Sequence, residues 1–418
     1  MAEKEKAEGM LNPYRVLDLA DETGLLCGKI LGDLGADVIK IEKPGGDPAR
    51  SIGPFYHDEP EPEKSLFWFA MNTSKRGITL NVETADGQEI FRRLIKSADF
   101  VVETFPPGYL DRLGLGYSEL EKINPGVILV SITPFGQSGP YRDWKTSDIV
   151  AWALGGHMAL YGDADRPPFR MSHHSQIYFN TGSDGAMGAL TALYHRAITG
   201  DGQQVDVSVQ DSGVYASIHN GPIWSKEMVV LKRGQVRPGT AHKATQLWPC
   251  KDGYVSWSHG GNSLLSPSLP LIKWMGSEGF TSDFIKNFDW DRPNFSGTTS
   301  QEEMDQIEEP TAQFFMAHTK AELLEGAVKH QIMLYPVATT ADIRENPQLT
   351  ARDFWVDVEH PELDATITYP GAFGISSEAS PKISRRAPLI GEHNEEIYHK
   401  ELGISKENLI ILKQSGGI

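Results

Sequence analysis

The chain has 418 residues, enough for two or three packed units and a large core. Its 39 Lys and Arg against 56 Asp and Glu give a net charge of −17, so electrostatic attraction to a phosphate backbone is not expected, and nucleic acid is excluded as a partner class. Only two cysteines occur, Cys27 and Cys250, which excludes a disulfide framework or a zinc ribbon and points to a reducing compartment.

The opening "MAEKEKAEGM" is charged and lacks the apolar centre of a signal peptide. No apolar run approaches the ~20 residues that span a bilayer, so a soluble, cytoplasmic protein is expected. Residues 15–19 read as a strand, 23–34 as a helix ending at a Gly, and 37–41 as a second strand. A second unit follows: strand 77–82, helix 85–98 and strand 99–105, then helix 117–124 and strand 126–135. Alternation of this kind predicts a parallel sheet with helices on both faces. In the first helix Gly24, Gly28 and Gly32 recur every four residues; without a membrane-length apolar run this signals close packing of a soluble helix.

A Gly- and Ala-rich helix is predicted over 181–196, followed by a Gly-bounded turn and the alternating strand "QVDVSVQD" over 204–211. Between about 224 and 336 the texture shifts to polar and basic loops, a hairpin-like "LWPCKDGYVSWS" and a helix "QEEMDQIEEPTAQFFMAH". Beyond 337 lies a β-rich stretch around "DATITYP". The expected division is 1–223 for the first part of a large domain, 224–336 for a small domain, and 337–418 for a return to the large one.

The first strand is not followed by GxGxxG, so a nicotinamide cofactor is not indicated. GxxxxGK[ST], HExxH and GxSxG are also missing. The adjacent His173 and His174 have no partner at a familiar ligand spacing, and no metal is assigned.

Four segments in order, "LGADVIKIEKPGGDPAR", "NTSKRGITLN", "DFVVETFPPGYLDRLGLGYSELEKINPGVILVSITPFGQSGPYRD" and "TGSDGAMGALTALYHRAITGDGQQVDVSVQD", together with "APLIGEHNEEI" near the end, resemble the class III CoA-transferases. The resemblance implies an α/β fold with a Rossmann-like large domain plus a smaller α+β domain. It further implies a ring-shaped chain interlocked with its partner in a dimer.

In that family an aspartate attacks the acyl-CoA thioester to give a mixed anhydride, the CoA thiolate returns to form an aspartyl-CoA thioester, and the acceptor carboxylate repeats the sequence. Counting along the family pattern from Gly182 and from Leu193 places Tyr178 at that aspartate's position. A phenol, with reference pKa ~10, is protonated at neutral pH and forms no anhydride. Asp184 lies six residues on, about 240° round the helix, and does not replace it.

By the same resemblance the CoA-binding candidates are Glu22, Thr23, Lys43, Lys75, Arg76, Thr104, Phe105, Arg112 and Lys145. Three depart from the family pattern: Lys43 stands where Arg is usual, Glu22 where Gln is common beside the reacting carbonyl, and Thr104 where Asn is expected. With nucleophile and helper both changed, the resemblance implies a catalytically silent subunit of a heteromeric transferase, binding a CoA thioester weakly and assembled with a paralogous chain that keeps the aspartate. Two alternatives are an active homodimer with another nucleophile and a 2-methylacyl-CoA racemase. The racemase aspartate also falls at position 178.

Overall fold

The computed structural model describes residues 9–162, 166–171, 175–218, 220–233, 241–259, 268–290 and 292–418. His173 and His174 lie outside the described residues. Two compact units are formed, one from 1–161, 169–229 and 350–418, the other from 162–168 and 230–349.

The first unit is built on a parallel sheet of β1 (Arg15–Asp18), β2 (Asp37–Glu42), β3 (Lys75–Thr79), β4 (Phe100–Glu103), β5 (Ile128–Thr133) and β6 (Gln203–Ser208). Its order is β3-β2-β1-β4-β5-β6. Its helices are α1 (Leu25–Asp33), α2 (Leu66–Met71), α3 (Ala85–Ile95), α4 (Tyr109–Arg112), α5 (Tyr117–Ile123), α6 (Asp148–Leu154), α7 (Gln176–Thr199) and α8 (Val209–Tyr215).

Two apolar layers cover the sheet. On one face Leu17, Ile39, Val101 and Leu129 pack with Phe91 and Leu94 of α3. On the other Val16, Val38, Val102 and Val130 pack with Leu31 of α1 and Ala189 of α7. This alternation along each buried strand follows from the period of two.

The predicted parallel sheet and its helices are present, with shifts that have local causes. The helix expected over 181–196 begins five residues earlier, because Ile177 and Tyr178 are buried against Ala151 and Trp152 of α6, and that packing extends the helix through a segment of weak propensity. The strand expected to reach 211 stops at Ser208, whose hydroxyl accepts from the Asp211 amide and caps α8.

The helix glycines close distances. A Cβ on Gly28 would lie 2.2 Å from Asp18 Oδ2, and one on Gly182 would lie 2.8 Å from Leu26 Cβ. So α1 sits low over the sheet and α7 sits low on α1.

In the second unit β7 (Leu247–Cys250), β8 (Gly253–Ser256) and β9 (Tyr335–Pro336) form an antiparallel sheet. Helix Gln301–Ala317 starts at a Ser300–Glu303 capping box, and Trp248, Trp257, Phe314 and Phe315 fill the core beside it. A separate ladder of β10 (Trp355–His360) and β11 (Ala365–Pro370) belongs to the first unit.

Candidate active site at the sheet crevice

In an open parallel sheet, ligands bind beyond the carboxyl ends of the strands where the order reverses. Here β1 has β2 on one side and β4 on the other, so the reversal lies between β1 and β4. The loops leaving these strands carry Glu22 and Thr23 on one side and Thr104 and Phe105 on the other. They are tied together: the Asp21 amide donates to Thr104 Oγ1 at 2.9 Å, and Thr23 donates to Asp21 Oδ1 at 3.0 Å. Thr104 thus acts as a loop fastener, and its methyl packs where any side chain at Gly24 would fall, 2.8 Å away.

Beneath this loop lie charges that see little water. Lys40, fully buried, donates to the Ala20 carbonyl and pairs with Asp47 at 3.2 Å. Asp47 in turn caps the short helix Pro48–Ser51 by accepting from the Ala49 amide. Glu22, half-buried above, has its carboxyl pushed above the ordinary carboxylate value by burial and by the fields of Asp21 and Asp47.

The remaining candidates separate into two groups. Around Tyr109 the structure gathers three of them. Phe105 stacks on its ring at 4.6 Å, and the Arg112 guanidinium lies 5.8 Å from the ring centre. Lys43 and the Tyr109 hydroxyl both reach Glu83 Oε1, at 3.0 and 2.6 Å. Beside them a cavity of about 360 Å³ is lined by Glu103, Tyr109, Ser131, Gln137 and Arg142. Lys145 lies on the exposed loop before α6.

Lys75 and Arg76 lie elsewhere. They begin β3, and Arg76 is paired in register with Ile39, so it leaves near the amino-terminal edge of the sheet, where it meets Asp37, Glu396 and Glu401 at 2.5–2.7 Å. The Lys75 ammonium is enclosed by Asp18 Oδ2, the Leu25 carbonyl and Asn72 Oδ1.

Tyr178 occupies the first turn of α7, 7% exposed, packed with Ala151, Trp152, Ile177 and Val209. Burial pushes its phenol up, and the carboxylates of Glu22, Asp148 and Asp21 push in the same direction, so the hydroxyl keeps its proton. Asp184 lines a different surface groove with Met187, Val207 and Tyr215. Cys27 is fully buried, its thiol likewise held protonated by burial, and offers no nucleophile.

Sequence reasoning missed Tyr109, Glu83, Glu103, Asp148 and Arg170. Tyr109 had a readable signal, since it follows Phe105 by four residues across a turn. The others depend on contacts between distant segments. Among the described residues no cluster of three or more His, Cys, Asp or Glu side chains suits a metal, and no helix is long and apolar enough to cross a membrane.

Known proteins share this architecture. A crystal structure of a CAIB/BAIF family protein from Brucella suis superposes with a TM-score of 0.79 at 28% identity, covering 94% of this chain and all of that one. The chain is 35% identical over 388 residues to the succinyl-CoA:(R)-benzylsuccinate CoA-transferase subunit BbsE of Thauera aromatica, covering 92% of each. It is 34% identical to a formyl-CoA:oxalate CoA-transferase of Streptomyces avermitilis, covering 98% of this chain and 99% of that one. The model of CoA-transferase family III matches residues 11–394, and with the crevice in place the conclusion is direct: the chain belongs to CoA-transferase family III.

Proposed function

We propose that this chain is the non-catalytic subunit of a heteromeric CoA-transferase that moves CoA from an acyl-CoA such as succinyl-CoA to a carboxylic acid, with (R)-benzylsuccinate as the acceptor to test first. The observation that carries the reading is Tyr178. A protonated phenol in an apolar cluster stands where the family reaction needs a carboxylate able to form both an anhydride and a thioester. The acceptor is suggested by the similarity to BbsE.

The partner in this reading is a paralogous chain that retains the aspartate, joined through interlocked rings. Support comes from the outer surface of the first unit. Among the described residues β6 is a sheet edge, and α7 and α8 expose Met187, Tyr194, Ile198, Val214 and Tyr215. Unpaired edges and apolar patches of this kind are normally covered. CoA would bind this chain weakly, its nucleotide against the Phe105–Tyr109 stack with Lys43, Arg112 and Lys145 near its phosphates. Each charge-assisted contact is worth roughly 1.5–3 kcal/mol.

A second reading, an active chain with a different nucleophile, is favoured by one observation. Glu22 is a carboxyl in the crevice whose charge acts on Tyr178. The deciding experiment is transfer from succinyl-CoA to (R)-benzylsuccinate by the chain alone and with the Asp-bearing paralogue. The expected result is product only with both chains. Turnover by this chain alone, lost on Glu22→Gln, would establish the second reading.

A further inference from the structure

Beside Tyr178 lie polar groups that neither the transfer chemistry nor the packing explains. Asp148, buried at the start of α6, accepts from the Ile177 amide at 3.2 Å, which fixes one oxygen to the first turn of α7. Its other oxygen lies 2.8 Å from Arg170 Nε, an ion pair without hydrogen-bond alignment. The Arg170 guanidinium makes no further ion pair or hydrogen bond among the described residues, so its two terminal nitrogens form an unengaged fork. Arg170 is partly exposed, at 37% of its side chain.

Two donors lie in the Tyr178 cluster, one of them buried. The Tyr178 hydroxyl holds its proton and has no hydrogen-bond partner among the described residues, while the ring that carries it is packed into the cluster. In the same cluster the indole N–H of Trp152, 1% exposed, is also unpartnered. Buried donors left unmade are costly, and folded proteins nearly always satisfy them with protein, water or ligand.

We propose that this corner is a receptor for the carboxylate of an organic acid with an apolar body, held by the Arg170 fork and the Tyr178 hydroxyl. A planar fork matches a carboxylate with two parallel bonds. The surroundings select within the anions. Asp21, Glu22 and Asp148 all act on Tyr178, so a doubly charged phosphate meets more repulsion than a singly charged carboxylate. Ile177, Trp152 and Val209 supply an apolar wall for the rest of the ligand. The change from carboxylate to phenol at 178 thereby turns a nucleophile's position into a donor's.

The test is calorimetric titration of the purified full-length chain with 3-phenylpropanoate, 3-phenylpropanol and inorganic phosphate, independent of any transfer assay. Saturable binding of 3-phenylpropanoate is expected, with at least about tenfold weaker binding of the alcohol and of phosphate. Arg170→Ala should weaken it by at least about tenfold and Tyr178→Phe, which keeps the ring packing, by several-fold, with Arg170→Lys in between. Circular dichroism and thermal melts confirm that each variant is folded. Failure of the folded wild-type chain to bind 3-phenylpropanoate, or wild-type affinity in either Arg170→Ala or Tyr178→Phe, would overturn the proposal. The non-catalytic reading is judged by transfer and stands or falls separately.

Discussion

The ammonium of Lys75 sits 2.7 Å from Asp18 Oδ2, and neither side chain reaches solvent. Burial depresses the basicity of Lys75 while Asp18 opposes that effect. Removing one member of such a pair leaves an uncompensated charge, at a cost of roughly 3–5 kcal/mol. Lys75→Ala should therefore lower the urea midpoint strongly, with little specific effect on CoA affinity in the folded fraction. Lost CoA affinity at unchanged stability would instead place Lys75 against the ligand.

The same pair explains why a glycine faces it. Gly28→Ala would put a methyl 2.2 Å from Asp18 Oδ2 and 3.1 Å from Lys75 Nζ. Overpacking of this kind costs about 1–3 kcal/mol. At Gly221, in a helix with nothing within 4 Å of a new Cβ, the same change should be neutral or stabilising by up to about 1 kcal/mol. Denaturant melts of the two variants make the comparison. Equal effects would mean that α1 rises off the sheet at little cost.

How much of this was readable in advance depended on whether the information was local. The parallel sheet was legible because each strand and helix announces itself by period and by its stop residue, as with Gly200 ending α7 in the left-handed conformation at φ 87°. Tyr178 was singled out by spacing within one segment. Its burial was not, because Trp152 and Val209 come from other segments. Lys75 and Arg76 show the limit most clearly. Adjacent in sequence and both cationic, they look like a ligand-binding pair, yet alternation along β3 sends them to different internal carboxylates. Arg170 carried no signal, since its partner Asp148 lies on a separate helix.

A pH effect follows from Glu103, at the end of β4 and 4% exposed. Burial raises its carboxyl to about 7, against the opposing hydrogen bonds from Ser131 and the Phe105 amide. Between the ordinary value of 4.5 and about 7 the folded chain keeps this proton while the unfolded chain has lost it, so this group's contribution to stability declines as pH rises through that window. The full shift corresponds to about 3 kcal/mol. Glu103→Gln, which can still accept from the Phe105 amide, should flatten the stability profile over this range and be more stable than wild type at about pH 8. Urea midpoints across the range provide the check, and an unchanged slope would show that Glu103 is ionised in the fold.

The central claim is that this chain supports transfer without entering the covalent step. It is tested most directly by trapping the two-chain complex during turnover with hydroxylamine or borohydride and mapping modified peptides by mass spectrometry. Modification of one aspartate on the paralogous partner is expected, with the Tyr178 peptide of this chain unmodified. An acyl or CoA adduct on Tyr178, Asp184 or Glu22 would contradict it.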